Sequence, residues 1–177
     1  MTSDFMNRYA EGWPGERVYA GCVYIDKVEL KCIDLAKQLF NSEFADVRPI
    51  SGVCANLAVY SAISKPNDMM FALSIPNGGH ISHGRTQFFG TAGLVHGLRI
   101  EYFPFDINEM NIDVDKTKNK INKMVKENDI PKFVMFGGSL FLFPHPIKEL
   151  VDFIKSYDII VCYDAAHVAG LIAGKRF

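Results

Sequence analysis

The chain has 177 residues, 49% of them apolar and 12% aromatic, which is enough to build one hydrophobic core in the usual size range of a single domain. Nineteen Lys and Arg stand against 20 Asp and Glu, for a net charge of −1. This balance argues against nucleic acid or an anionic membrane surface as a partner. Small molecules or other protein are the expected partners.

Cysteine usage and targeting signals point to one compartment. The spacing of the four cysteines is not of the zinc or redox kind. No stretch approaches the roughly 20 apolar residues of a membrane span, and the polar start at 1–8 lacks the regions of a signal peptide. We therefore expect a reduced, cytoplasmic protein that forms one partial domain over 1–177, with an irregular segment at about 1–27.

Helical and strand patterns follow one another along the chain. Apolar residues recur at helical spacing from 28 to 40, and the short apolar run 44–48 predicts a strand before Pro49, followed by a helix over 52–60. Further strands are predicted at 69–73, 98–103, 133–136 and 159–163, and further helices at 115–128 and 147–157.

Strands without strict alternation, mostly followed by helices, predict an α/β fold with a largely parallel sheet and helices on both faces. In such sheets, ligands bind beyond the carboxyl ends of the strands. Four polar residues are expected there, each just after a predicted strand: Ser51, His80, Ser139 and Asp164.

Ser51 and Gly52, between a predicted strand and a helix, form a plausible anion site. Free backbone N–H groups and the positive end of the helix dipole favour a phosphate at such a position. Taken alone, the simpler interpretation is that Ser51 is a helix N-cap and Gly52 a turn residue.

Asp164 directly follows an apolar strand. A carboxylate at a strand end can hold a protonated ring nitrogen by a charge-assisted hydrogen bond, and His167, three residues on, could contact the same ligand. A helix cap or a structural hydrogen bond is an equally good interpretation of Asp164.

The histidines allow a different hypothesis. His80, His83, Asp164 and His167 would suffice as zinc ligands, so a metal-dependent hydrolase is a rival. However, the first two histidines lie in a glycine-bounded loop without an adjacent glutamate base, so we expect no metal site. His145, between two prolines, is expected to be a turn or surface residue, as is His96.

The segment 9–21 has no helical or strand period but is rich in aromatic and charged side chains. These include Tyr9, Glu11, Arg17 and Tyr19. Such irregular segments often serve a site or an interface, although many loops carry these residues only for solubility.

Taken together, these stretches resemble serine hydroxymethyltransferases over nearly the whole chain. The most specific motifs are NRYAEGWPG at 7–15, YAGCVYID at 19–26, SGVCANLAVY at 51–60, GGHISHG at 78–84 and YDAAHVAGLIAG at 163–174. The resemblance is closest to archaeal members. It implies the large domain of the aminotransferase-like fold type I, with pyridoxal 5'-phosphate (PLP) as cofactor.

In that family, the hydroxymethyl group of serine passes to a tetrahydropterin such as tetrahydrofolate, giving glycine, with PLP as the electron sink. By resemblance, Ser51 and Gly52 would hold the cofactor phosphate, and His80 would stack on the ring. Ser139 would bond near the phenolic oxygen, Asp164 would pair with the ring nitrogen, and His167 would lie beside that oxygen.

Three N-terminal residues have a different implied role. By resemblance, Tyr9, Glu11 and Tyr19 cross a homodimer interface into the neighbouring site, with the glutamate near the substrate hydroxyl and the tyrosines near phosphate and substrate carboxylate.

The sequence also departs from the family pattern. Val53 replaces a second phosphate-binding serine, and Val18 replaces a frequent tyrosine. Lys175 lacks the context of the family's cofactor-linking lysine, so the chain alone is expected to be inactive and to represent part of an enzyme. Association with the missing C-terminal part is one expected interaction. A non-catalytic remnant that binds a full-length subunit and a threonine-aldolase-like PLP enzyme remain alternatives.

Overall fold

The computed structural model describes residues 3–177. They fall into two compact units, the first ending at Pro49 and the second running from Ile50 to Phe177. The sequence expectation of one partial domain over 1–177 stays a prediction, and residues 1 and 2 of its irregular segment lie outside the described part.

The first unit pairs a small hairpin with one long helix. Strands β1 (Gly12–Trp13) and β2 (Glu16–Arg17) are antiparallel, and helix α1 spans Val23–Phe40. The helix begins before the predicted residue 28, because Asp26 in its first turn complements the positive end of the helix dipole. The next residue, Asn41, caps the helix with a left-handed backbone conformation, which suits a helix C-terminus.

The predicted strand at 44–48 is wrong. These residues have no strand conformation, and Phe44 is 81% exposed. A short apolar run becomes a strand only when a neighbouring strand accepts its hydrogen bonds, and no such neighbour pairs with it in residues 3–177. Consequently, Ser51 does not follow a strand.

The second unit contains the predicted strands and helices in their predicted order, together with four short α-helices and β-strands that were not predicted. Its elements are α2 (Gly52–Ile63), β3 (Met69–Ala72), α3 (Thr91–Leu94), β4 (Arg99–Tyr102), β5 (Phe105–Asp106), β6 (Asn111–Ile112), α4 (Val114–Lys126), β7 (Phe133–Gly137), α5 (Ile147–Lys155), β8 (Ile160–Asp164) and α6 (Ala169–Ala173).

The central sheet has the strand order β4-β3-β7-β8, and every neighbouring pair in it is parallel. Strands β5 and β6 form a separate antiparallel pair. The prediction of an α/β fold with a mostly parallel sheet is therefore confirmed. Parallel pairing also brings the carboxyl ends of β3, β7 and β8 to one edge of the sheet.

Alternate strand residues face opposite sides of the sheet, and each side has its own buried cluster. The side covered by α4 and α5 includes Phe71, Val134, Ile121 and Leu150. The side covered by α2 and α3 includes Met70, Met135, Tyr60 and Ala92. The two central strands, β3 and β7, are buried on both faces, and they read as continuous apolar runs rather than as alternating patterns.

Among the helices of residues 3–177, none has both the length and the apolar character needed to cross a bilayer.

Candidate functional site

Asp164, the last residue of β8, is the centre of a buried polar network. Its Oδ2 accepts hydrogen bonds from Asn56 Nδ2 at 2.9 Å and from His83 Nε2 at 3.1 Å. Its Oδ1 accepts from the backbone N–H of Ala166 at 3.1 Å. The carboxylate is thus held by helix α2, by the loop after β3 and by its own following turn.

These donors determine the charge of Asp164. The hydrogen bond from His83, then those from Asn56 and the Ala166 amide, hold its pKa well below the usual range, against the opposing effect of burial. The Asp164 side chain is 11% exposed. A carboxylate that is ionised near pH 7 at the carboxyl edge of a parallel sheet can pair with a cationic ring nitrogen.

The network continues from Asn56 to His80. Asn56 Nδ2 donates to Ser82 Oγ at 2.8 Å, and the backbone N–H of Ser82 donates to His80 Nδ1 at 3.1 Å. His80 Nδ1 therefore acts as an acceptor, and the Ser82 hydroxyl, 2.7 Å away, donates to it. In its neutral form, the His80 ring accordingly carries its proton on Nε2.

Three members of this network were not predicted to act in the site, namely Asn56, Ser82 and His83. The Ser82 and His83 side chains are fully buried, and Asn56 is 7% exposed. A polar side chain on the core face of a helix is the signal that could have identified Asn56, since buried polar groups need partners. His83 was considered only as a metal ligand.

The N-terminus of α2 lies on the same helix as Asn56. Ser51 is the N-cap, and its side chain accepts a hydrogen bond from the backbone N–H of Cys54 at 3.2 Å. An added Cβ at Gly52 would meet no atom within 4 Å, so the helix end is open above that residue. The capping interpretation of Ser51 is therefore observed, and the open approach also leaves room for an anion.

The turn after β7 carries Ser139. The backbone N–H of Ser139 donates to the carbonyl oxygen of Gly78 at 2.8 Å, two residues before His80. Gly137 is paired in register with Asp164. The turn therefore lies between the strand that ends in Asp164 and the loop of His80.

A cavity of about 550 Å³ opens beside this turn. His80 and Ser139 contribute to its lining, together with mostly apolar side chains such as Ile81, Phe105 and Leu142. Such a cavity is large enough for a small organic molecule.

His167 and Lys175 lie in the segment that follows β8. His167 is exposed in the turn before α6, and Lys175 is exposed after that helix with a positive φ of 55°. The structure thus places His167 near Asp164 in the chain but outside its hydrogen-bond network.

The residues of the metal hypothesis are used differently. His83 bonds to Asp164, and His80 bonds to Ser82. Over residues 3–177, no group of three or more His, Cys, Asp or Glu side chains is arranged to hold a metal ion.

His145 was predicted to be a turn or surface residue, and its predicted place at the surface is wrong. His145 is 7% exposed, and its Nδ1 accepts the backbone N–H of Gly137 at 3.1 Å. Burial lowers its pKa to about 4, so the ring is neutral near pH 7. The surrounding prolines suggested exposure, but aromatic side chains cover the ring.

The first unit holds the other candidate residues on a fixed hairpin. The rings of Tyr9 and Tyr19 lie 5.6 Å apart, and both are exposed, as is Glu11. Gly12 has a φ of +100°, and a side chain there would collide with the Glu16 carbonyl.

Arg17 anchors this hairpin. Its guanidinium donates to the carbonyl oxygens of Ala10 and Gly12, on either side of Glu11, and to the carboxylates of Asp26 and Glu29 on α1. The Arg17 bond, then the amide of Gly15, lowers the pKa of Asp26. The Glu11 backbone is thus fixed while its side chain faces solvent.

The sequence matches the family model described as serine hydroxymethyltransferase over residues 1–177. Curated relatives with that name agree with the match. The chain is 71% identical to the protein of Nitrosopumilus maritimus and 66% identical to that of Cenarchaeum symbiosum, in both cases over all of this chain and 40% of the relative.

A relative of lower sequence identity also matches nearly all of this chain over a similar share of its own length. The serine hydroxymethyltransferase of Methanocaldococcus jannaschii is 51% identical over 99% of this chain and 39% of its own length. The chain therefore spans about 40% of the length of the curated relatives it matches.

Proposed function

The chain belongs to the serine hydroxymethyltransferase family, and from this premise we propose that it forms the PLP-binding part of a serine hydroxymethyltransferase. The substrates would be serine and a tetrahydropterin such as tetrahydrofolate, and the fold would be the large domain of fold type I. The observation that carries this proposal is the ionised, partly buried carboxylate of Asp164 at the carboxyl edge of the sheet.

The residues present fit PLP at the ring nitrogen. Asp164 accepts three protein hydrogen bonds and still has acceptor capacity, because a carboxylate offers about four lone-pair sites. An N–H⁺ donor is the partner that such a site lacks. Asp164 would hold the ring nitrogen in its protonated form, and Asn56 and His83 would hold Asp164 in its orientation.

The phosphate would bind at the N-terminus of α2. Ser51 and Gly52 stand there, with Gly52 open to approach. Asn56 lies four residues further along the helix, or about 6 Å at the usual rise per residue. One helix would therefore hold the phosphate with its first turn and orient Asp164 with its second.

The remaining contacts involve the two loops. His80 would lie against the ring face, with its own ring oriented by Ser82. Ser139 would donate near the phenolic oxygen, and His167 would lie beside that oxygen. When bound, PLP supplies an electron sink for the bonds at the substrate Cα.

Tyr9, Glu11 and Tyr19 are proposed to serve the site of a partner subunit in a homodimer. Their exposure, together with the fixed backbone around Glu11, supports this role. Glu11 would act near the substrate hydroxyl, and the tyrosines near phosphate and substrate carboxylate.

Turnover would need residues outside these 177. No lysine of the chain has the family context of the cofactor-linking lysine, so we expect the chain to bind PLP without turning over serine. Association with a further part of the enzyme would complete the site. A cytoplasmic location is part of the proposal, supported by four free cysteines.

The test is a titration of the purified chain with PLP, followed by absorbance, with mass spectrometry after borohydride reduction. Saturable binding without a lysine adduct supports the proposal. Absence of binding would contradict it and favour a non-catalytic remnant, and a specific adduct on Lys175 would refute the expectation that no cofactor-linking lysine is present.

A further inference from the structure

His145 has an unusual position for a histidine between two prolines. Its ring packs against Phe141 at a centroid distance of 4.6 Å and against Tyr163 at 6.2 Å. The buried ring is neutral near pH 7, as its lowered pKa requires. Such a ring offers one acceptor nitrogen and one N–H donor.

The acceptor nitrogen has a specific backbone partner. Nδ1 of His145 accepts the N–H of Gly137, the last residue of β7, at 3.1 Å. This bond closes the loop between the end of β7 and the start of α5. A second tether fixes the same loop, because Asn111 Nδ2 donates to the carbonyl oxygen of Pro144 at 2.9 Å.

Gly137 is the point at which the proposed cofactor contacts meet. It pairs in register with Asp164, and its φ of +82° together with the closeness of the Asp164 carbonyl excludes any side chain there. Ser139 follows two residues later and bonds to Gly78 in the loop of His80. A shift of the Gly137 peptide would therefore move Ser139 relative to both Asp164 and His80.

We propose that His145 is a positioning residue of the cofactor site: by accepting the Gly137 N–H, it fixes the turn that presents Ser139 between Asp164 and the loop of His80. This inference rests on the proposed function, because Ser139 matters only if the cofactor binds beside it. His145 itself would act through the turn.

Two substitutions at His145 distinguish the effect of its acceptor nitrogen from the effect of its aromatic packing. His145→Asn keeps an acceptor, since the Asn Oδ1 takes the place of Nδ1. His145→Phe keeps the aromatic packing and removes the acceptor, which leaves a buried N–H without a partner. His96→Phe serves as the control, because His96 is a half-buried histidine that bonds to Ser64 outside the proposed site.

The experiment measures PLP binding and the absorption maximum of bound PLP for the full 177-residue chain and these variants. We expect His145→Phe to weaken binding about tenfold and to shift the maximum as Ser139→Ala does. His145→Asn should restore binding and maximum, and His96→Phe should change neither. The variant that combines His145→Phe with Ser139→Ala should bind PLP no more weakly than Ser139→Ala alone, because both changes act on the contact of Ser139 with the cofactor.

The protection of the Gly137 amide from hydrogen exchange gives a readout that needs no cofactor. It should fall in His145→Phe and return in His145→Asn. If Gly137 loses protection while PLP binding and absorbance stay as in the unchanged chain, or if the double variant is additive, the inference is refuted. If the unchanged chain does not bind PLP, the proposed function itself fails, and the inference fails with it.

Discussion

The two units differ in the burial and hydrogen bonding of their candidate functional side chains. In the second unit, Asn56 and Ser82 are buried, Asp164 is partly buried, and the Asn56 amide bonds to both of the others. In the first unit, Tyr9 and Glu11 face solvent, and only the backbone beneath them is fixed, through Arg17. A buried network is organised before any ligand arrives, whereas exposed side chains on a fixed hairpin are suited to a site completed by another molecule.

The largest expected effect tests the buried network. Asp164→Asn removes the charge while keeping the size, and we expect it to weaken PLP binding about 100-fold, because a charge-assisted hydrogen bond to the ring nitrogen is lost. Asp152→Asn, an exposed position on α5, is the matched control and should leave binding unchanged. Equal PLP affinity of Asp164→Asn and Asp152→Asn would show that the network around Asp164 does not contact the cofactor.

His145 makes the stability of the chain depend on pH. Its folded pKa of about 4 lies below the ordinary histidine value of 6.5. Between these values the unfolded state binds more protons, so stability contributed by the neutral ring is present above pH 6.5 and is lost as the pH falls towards 4. From pH 7 to 4.5, the unchanged chain should lose about 2 kcal/mol more unfolding free energy than His145→Asn.

Denaturant unfolding at these two pH values measures the difference. Asp164 adds a separate dependence at lower pH, because a depressed carboxyl pKa stabilises the fold above the unfolded value and loses that contribution as the pH falls further. The same pH dependence in the unchanged chain and in His145→Asn would mean that the ring is not neutral and buried in solution.

Asn56→Ala should destabilise the second unit without any cofactor. The change removes the amide that donates to Asp164 and Ser82, and leaves their buried acceptors without this partner. We expect a loss of about 1–3 kcal/mol in denaturant unfolding. Asn119→Ala, on the exposed side of α4, should change stability by no more than about 0.5 kcal/mol. An unchanged free energy of unfolding in Asn56→Ala would show that water replaces the Asn56 amide without loss of stability.

The smallest effect is expected in the first unit. Arg17→Lys cannot reproduce the planar fork that bonds two carbonyls and two carboxylates. Cleavage by chymotrypsin at Tyr9 and Trp13 should become several-fold faster, because the hairpin opens more often. Arg8→Lys, which replaces a side chain bonded to the Gly21 carbonyl, should have less effect. Unchanged cleavage would mean that Arg17 does not hold the hairpin.

The sheet could be predicted from the sequence because burial on both faces leaves a direct trace. Runs such as 133–136 are uniformly apolar, and their strands are fully buried. The run at 44–48 differs in that it contains Asp46 and Arg48, which bond to each other, and it has no pairing partner among the described residues, which local sequence cannot reveal. Strand formation depends on the neighbour as much as on the residues themselves.

The candidate site was predictable at its strand ends but not in its supporting shell. Asp164 ends β8 and Ser139 follows β7, so their positions could be inferred from topology. Asn56 lies in an apolar helical run, and its contact with Asp164 spans 108 residues of sequence. His145 looked exposed because of its prolines, whereas tertiary packing buries it.

The protonation state of the ring nitrogen of bound PLP tests the central claim most directly. With ¹⁵N-labelled PLP bound to the chain, at a pH above the ring nitrogen's own pKa in water, the nitrogen chemical shift reports whether Asp164 pairs with it. The account predicts a protonated nitrogen in the unchanged chain and an unprotonated one in Asp164→Asn. An unprotonated nitrogen in the unchanged chain would contradict the assignment of Asp164 to the cofactor.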